Sequence, residues 1–491
     1  MNNSVISTQS SVISRVRQAA VTGHWSLVTL LAASFALLGG LVLAFGGPLA
    51  GLALVIGIIG AGLVLRNIEL GLWATFGVIC GLPFATLPID IGVTPTFLDL
   101  GLGAFVGVWL LRIVTGQQRR IVTSPITIPL IVFLIIAIFA FIFGLQNGPF
   151  TTTLARRFAE LLLSIGTALI IVDYCRDWER LERVVIVALL GGALASILAI
   201  GLWLLPDELA NDILNFLVRL GYPGGWVIRY IEENPALSER AIGTSVDPNA
   251  LGGLITMFGA LALPQAVAKR PLVKRWLAVT ITLLILLAIL LTFSRGAFLA
   301  LAAGLAYVAV LRYRRLIPLA IGATATLFVL PFTQEYVIRL VQGLSFFNYN
   351  NTDLASQMRL GEFRDAWALI TRYPVFGVGF AGSPDIDLYL GVANVYLSIG
   401  QQMGFIGLAS FFVIIGVLFG YAFIYRKAFK LDERKDPVWL GLHAAVVSGL
   451  AAGLFDHYLF NTEFHHTVTA FWLLLGLAMA ATHLMALDSQ N

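Results

Sequence analysis

The chain has 491 residues, 58% of them hydrophobic and 12% charged, with a formal net charge of +4 and a pI near 9.1. That composition excludes a soluble globular domain. Repeated apolar runs of about 20 residues indicate an all-α polytopic membrane protein of about 12–14 spans. Basic residues on such a chain mark cytoplasmic loops, so the pI is no argument for nucleic acid as a partner.

Residues 1–24 read as a polar cytoplasmic tail carrying Arg15 and Arg17, followed by an apolar run too long for a signal-peptide core. Residues 25–205 read as an N-terminal transmembrane bundle. Its spans are expected at Trp25–Phe45, Pro48–Leu65 and Glu69–Leu87, then up to Gly116, over Ile126–Leu145, up to Asp173, and over Val184–Leu205. The connection Pro88–Leu98 has two prolines and little charge and suggests a re-entrant stretch. Arg156 and Arg157 are expected in an outer loop, and Arg176–Arg183 in an inner linker. Cys80 falls within a span and Cys175 at a cytoplasmic end, which argues against a disulfide, and no cysteine pair has zinc-ligand spacing.

Residues 206–248 form an outer excursion. Leu209, Ile213, Phe216, Leu217 and Leu220 recur at helical spacing and predict a short helix lying in the interface, ended by Gly221 and Pro223. Asp247 or Asn249 is placed to cap the next helix, with Pro248 in its first turn. Residues 249–333 hold the central spans, ending at Lys269-Arg270, running Leu277–Phe293, and turning on Ser294-Arg295-Gly296 into one that ends at Arg312. Residues 334–404 are the longest polar excursion, with aromatics, a helical period over Arg359–Trp367 and glycine punctuation, and so read as a folded extracytoplasmic loop. Residues 405–491 hold the last spans, including Phe405–Tyr425 and Val438–Phe455.

With the N-terminus inside, all five lysines (Lys269, Lys274, Lys427, Lys430, Lys435) fall in cytoplasmic loops, as the positive-inside rule requires. Several arginines are expected outside and break that bias, among them Arg240, Arg295, Arg339, Arg359, Arg364 and Arg372. A guanidinium offers a planar fork matched to phosphate oxygens, where lysine offers a point charge. Arg295 sits between two apolar spans with almost no loop. Either it snorkels to phospholipid headgroups or it faces a cavity and binds an anion. Arg240 lies close before a span start and is not explained by capping. Arg359 and Arg364 lie on the predicted loop helix, where the plain alternative is a solvated face. His457, His465 and His466 are expected outside near the last hairpin. Their spacing fits no zinc pattern, and an interfacial polar cluster is the alternative. No metal site and no cofactor is indicated.

Three pieces of the chain together resemble the bacterial O-antigen ligase and O-antigen polymerase family of polytopic membrane glycosyltransferases. They are Arg240-Ala241-Ile242-Gly243-Thr244 running into Asp247-Pro248-Asn249; Leu291-Thr292-Phe293-Ser294-Arg295-Gly296-Ala297; and a stretch from Arg359 through Pro374, Gly377 and Gly379 to Asn394, Gly404 and Gly407. The resemblance implies metal-independent transfer of a glycan from a polyprenyl (undecaprenyl) diphosphate carrier to a sugar hydroxyl, on the outer face of the bacterial cytoplasmic membrane. It implies that Arg240, Arg295 and Arg359 engage the diphosphate; Arg364, on the same predicted loop helix as Arg359, is a further diphosphate-binding candidate. Asn249, Asn394, Gly404 and Gly407 match motif positions. Ligases of the family carry a histidine just before the asparagine of the last piece, and here that position is Ala393. The departure favours a polymerase-like role in surface polysaccharide assembly, with Asp385, Asp387, His465 and His466 as candidate bases. A ligase that attaches the glycan to a lipid or core acceptor stays open, as does a non-catalytic or transport protein for lipid-linked glycans. The implied partners are the lipid-linked donor, a glycan or lipid acceptor, membrane lipids, and a chain-length regulator or flippase.

Overall fold

Wherever the chain is described, the spans expected from sequence are present as helices. A computed structural model describes residues 62, 67–87, 94–118, 120–315, 317–318, 354–385, 387–388, 391–430 and 432–489. The chain divides into two compact units, Met1–Leu63 with Leu87–Thr94, and Val64–Thr86 with Pro95–Asn491. The first lies almost wholly outside the described residues, as do the first two expected spans, most of the re-entrant stretch, and the span leading to Gln334.

The α-helices among the described residues of the second unit are α1 (Ile68–Gly81), α2 (Phe97–Val114), α3 (Thr127–Gly144), α4 (Thr152–Tyr174), α5 (Trp178–Trp203), α6 (Asp207–Phe216), α7 (Pro248–Val267), α8 (Arg275–Thr292), α9 (Arg295–Leu311), α10 (Leu354–Arg372), α11 (Val395–Phe429), α12 (Lys435–Ala452) and α13 (His465–Asp488). One two-stranded antiparallel ribbon, β1 (Arg229–Tyr230) with β2 (Glu239–Arg240), pairs Arg229 with Arg240. Seven of these helices, α2, α3, α5, α7, α8, α11 and α13, are long and apolar enough to cross a membrane, and α1 and α9 are shorter apolar helices. The protein is an all-α polytopic membrane protein.

Local sequence sets where the helices start. Thr96 and Asp99 form a reciprocal capping box at α2; Asp177 caps α5, Asp247 caps α7, Ser294 caps α9 and Asn394 caps α11. Each supplies an oxygen to an otherwise orphaned first-turn N–H. Two expected boundaries shift. Arg156 and Arg157 lie in the first turns of α4 rather than in a loop, and most of the charged 176–183 segment belongs to α5. Both segments keep helical periodicity through their charges, because Arg156 pairs with Asp99 and Glu160, and Arg183 with Glu69 and Glu179.

α7 and α13 are buried along most of their length. α7 packs against α8, α9 and α12, and α13 against α4, α11 and α12. α4 and α12 are less apolar than the other spans, and their inner faces are covered by α13 and by α7 and α9. A helix facing protein needs less hydrocarbon than one facing lipid. α3 shows the opposite case, presenting Ile128, Ile131, Ile135, Ile138, Phe139 and Ile142 outward.

The two ends of the bundle differ in charge chemistry. At one end Lys269 pairs with Glu433, Arg312 with Asp436, Arg434 with Glu182 and Lys435 with Asp488. All five lysines lie at that end, on the last turn of α11, in the linkers after α7 and α11, and at the start of α12. The other end is built by the starts of α7, α9 and α13, the ends of α8 and α12, the β-ribbon and α10.

Candidate active site

A cavity of about 240 Å³ opens at the lysine-free end. It is lined by residues from six segments, among them Arg240, Asn249, Arg295, Arg359, Asp456 and Tyr458. Its volume lies just below the roughly 300 Å³ at which pockets for whole small molecules begin, so it suits a headgroup-sized fragment.

Each arginine arrives by a different route. Arg240 comes from β2, with Nε donating to Thr292 O at 2.9 Å and Nη2 to Asn249 Oδ1 at 2.8 Å. Its guanidinium is thus tied to the end of α8 and the start of α7. Ala241 N donates to Leu291 O at 2.8 Å, which fixes the ribbon on α8. Arg295 is the first residue of α9. Helices α8 and α9 join through only Phe293 and Ser294; Phe293 takes a left-handed φ of 50° and Ser294 caps α9. Gly296 lets this corner pack closely against Phe455, since a Cβ there would stand 2.9 Å from Phe455 Cβ. Arg359 comes from α10, and Arg364, five residues on, is exposed and does not line the cavity.

The starts of α7, α9 and α13 contribute Asn249, Ser294–Ala297 and Thr467 to the lining. A helix N-terminus carries partial positive charge and unpaired N–H groups. A cation at such a terminus is disfavoured by about 0.3–1 kcal/mol, so Arg295 stands against its own helix dipole and adds to a field that favours an anion. The lining is not purely basic, however: Glu232, Glu233 and Asp456 also face it. Strain gathers here as well. The non-glycine residues at positive φ among those described are Glu232, Glu233, Val246 and Phe293, and all but Val246 line the cavity. Such conformations cost about 1–3 kcal/mol each and persist where surrounding structure imposes them.

The linker between α12 and α13 forms one wall. Asp247 Oδ1 accepts from Asn249 N and Ala250 N, each at 2.8 Å, and from the Tyr458 hydroxyl at 2.9 Å. Burial first, and then the charges of Asp456 and Asp247, push the Tyr458 phenol well above its usual pKa, so it stays a donor. His457 Nδ1 lies 3.1 Å from Asp456 Oδ1, an ion-pair distance outside hydrogen-bond alignment. Burial disfavours its charged form, but Asp456, with Glu362 and Asp247, outweighs this and holds the imidazole pKa above the ordinary value.

The remaining motif residues build the scaffold around this wall. Asn394 Oδ1 accepts from Leu397 N and its Nδ2 donates to Leu454 O, each at 3.0 Å, so it joins α11 to the 453–458 linker. Gly404 sits at a kink inside α11, with φ 64° and ψ −169°. Val378 N donates to Gln401 O and Phe405 N to Pro374 O, each at 2.7 Å, across backbone contact too close for any Cβ at Gly377 or Gly404. At Gly407 a Cβ would meet Met403.

The four expected bases do not line the cavity. Asp385 is ion-paired to Arg372 at 2.9 Å, and Asp387 is exposed. His465 and His466, expected in an outer loop, instead open α13 and are buried, because the apolar period of that helix starts earlier than its flanking polar residues suggest. His465 Nδ1 meets Glu160 Oε2 at 3.0 Å, and its Nε2 lies 2.9 Å from Arg157 O. His466 packs on Phe84. Sequence reasoning missed Glu232, Glu233, Phe455 and Asp456 in the lining and Glu362 behind it. The polar trio Asp456-His457-Tyr458, interrupting an apolar run, was the available signal.

Residues 280–412 match the model of a protein family described as O-antigen ligase. The matched stretch contains Arg295, Arg359, Asn394, Gly404 and Gly407 and excludes Arg240 and Asn249. The resemblance to O-antigen ligases and polymerases is borne out there, and it supports a ligase- or polymerase-like role in surface polysaccharide assembly for a multi-pass membrane protein; members of that family are glycosyltransferase-like enzymes. No curated protein matches the chain.

Proposed function

From the O-antigen ligase match over residues 280–412, we propose that the protein transfers a glycan from an undecaprenyl diphosphate carrier to a sugar hydroxyl on the outer face of the inner membrane, as a polymerase of surface polysaccharide. The observation that carries this reading is the convergence of Arg240, Arg295 and Arg359, widely separated in sequence, on one headgroup-sized cavity. The leaving group is a diphosphate. Guanidinium groups fixed in advance, together with three helix N-termini, stabilise the charge that develops on it without reorganising. This supplies the role that a metal ion would otherwise play. The lysine-bearing end is cytoplasmic by the positive-inside rule, which puts the cavity outside. Glu232 and Glu233 are suited to orient hydroxyls of the acceptor. A polymerase is favoured over a ligase by Ala393, whose N–H is held by Glu362 Oε2 at 3.1 Å and which carries no proton-accepting side chain.

Glycan analysis of a deletion strain tests the assignment. Accumulation of single-unit product is expected. Unattached long chains would mean ligation instead, and lipid-linked glycan retained inside the cell would mean transport. A chain-length regulator or flippase, if it is a partner, is expected to co-purify with the full chain.

A further inference from the structure

Glycosyl transfer to a hydroxyl requires that a proton leave the acceptor oxygen, and the arginines cannot take it. Among the described residues, the titratable groups around the cavity are few. Asp247 is committed to two backbone N–H groups and the Tyr458 hydroxyl. Tyr458 is itself that donor. Glu362 accepts from Ala393 N. Glu232 and Glu233 are exposed on the loop. His465 and His466 keep little accessible surface, whereas the His457 side chain keeps 30% of its own. His457 lies just behind the lining: its chain neighbours Asp456 and Tyr458 both line the cavity, and its ring centroid stands 5.0 Å from that of Tyr458.

We propose that His457 is the base that receives the acceptor proton, and that Asp456 is the residue that positions its ring. The inference rests on the transferase reading above. With Nδ1 turned to the Asp456 carboxylate, the tautomer bearing hydrogen on Nδ1 is favoured and Nε2 holds the lone pair. An ion-pair contact of this length tightens into an aligned hydrogen bond as the site fills. In the step, Nε2 takes the hydroxyl hydrogen as the acceptor oxygen bonds to the anomeric carbon. The bond from that carbon to the diphosphate oxygen breaks, and its electron pair stays with the undecaprenyl diphosphate. The imidazolium then releases its proton to water. The groups facing His457 are Asp456 on its own linker, Glu362 on α10 and Asp247 at the cap of α7. All three are carboxylates that favour the imidazolium, raising a pKa that starts near 6.5 toward the working pH, where a general base is most effective.

The test uses the full chain in membrane vesicles of the deletion strain, which supply the accumulated lipid-linked glycan, with binding of undecaprenyl diphosphate measured separately. His457→Asn should lower turnover by about 10²-fold or more while binding stays unchanged. Asp456→Asn should lower turnover less and move the acid limb of the turnover profile to lower pH, since a carboxylate that raises the pKa is gone. Should His457→Asn fold poorly, the Asp456→Asn profile decides alone. Turnover of His457→Asn within about threefold of wild type, or an unmoved acid limb in Asp456→Asn, overturns the role of His457 and leaves the transferase reading standing. A wild-type chain that neither binds undecaprenyl diphosphate nor transfers glycan overturns both.

Discussion

Arg295 occupies a position where a cation is disfavoured by its own helix, at a corner that needs a strained Phe293 and a crowded Gly296. Snorkelling to headgroups requires none of this, since a longer loop would serve as well. Arg295→Lys keeps the charge and loses the fork. Turnover should fall by the equivalent of about 2–4 kcal/mol with expression and folding unchanged, as for loss of one oxyanion donor. Near-normal turnover would favour headgroup anchoring. Asn249 lines the cavity and holds Arg240 Nη2. Asn249→Ala should weaken undecaprenyl diphosphate binding by about 1.5–3 kcal/mol, the worth of a hydrogen bond to a charged group, as read by a binding titration. At this scale the sequence pointed to Arg240, Arg295 and Arg359, which the fold brings to one cavity, but equally to Arg364, which stays exposed outside it. It could not identify Asp456 or Glu362, because a carboxylate's partners depend on which linkers the fold brings together.

At the scale of elements, the loop after α10 and the kink in α11 are one unit. Gly404→Ala places a Cβ 2.3 Å from Val375 O at φ 64° and should destabilise this junction by about 2 kcal/mol or more, visible as lower yield and a lower Tm in detergent. Gly361→Ala on α10 meets nothing and is the matched control. The glycine pattern was legible in sequence, but its backbone-on-backbone purpose was not, since that requires knowing that residues 374–379 lie against residues 401–405. The excursion 206–248 gave its helix correctly: α6 leaves Leu209, Ile213 and Phe216 exposed and ends in a short 3-10 turn at Gly221 with φ 82°. Its ribbon, only two residues per strand, has too little periodicity to detect. Within it, burial and then the charge of Asp207 raise Glu239 to about 7. A carboxyl whose pKa rises on folding lends stability that is full below its ordinary value of 4.5, declines above it and is gone past about pH 7. Hydrogen exchange at residues 229–240 should therefore quicken as pH rises toward 7, after correction for the intrinsic rate, and Glu239→Gln should abolish the excess.

For the whole molecule, the separation of charge types between the two ends predicts topology. Cys80 and Cys175 are buried and should stay silent to a membrane-impermeant thiol reagent. Cysteines at Ala236 and Ser383 should label in intact cells, and those at Gln117 and Lys430 should label only after permeabilisation. The reverse pattern would place the cavity inside and remove the donor assignment with it. Among the described residues the order of the helical spans was legible because hydrocarbon length is set by the bilayer. Which spans lie inside the bundle was not, and α4 and α12 show why: their modest hydrophobicity reflects protein neighbours that only the fold reveals. The central claim, that fixed arginines rather than a bound metal drive diphosphate departure, is tested by one assay. Chelator-treated proteoliposomes holding the full chain are given the lipid-linked glycan isolated from the deletion strain, and released undecaprenyl diphosphate is counted against new glycosidic bonds. Equal yields of the two from the wild type, and little of either from Arg295→Lys, are expected. Activity lost on chelation and restored by magnesium or manganese, or full activity in Arg295→Lys, would contradict the account.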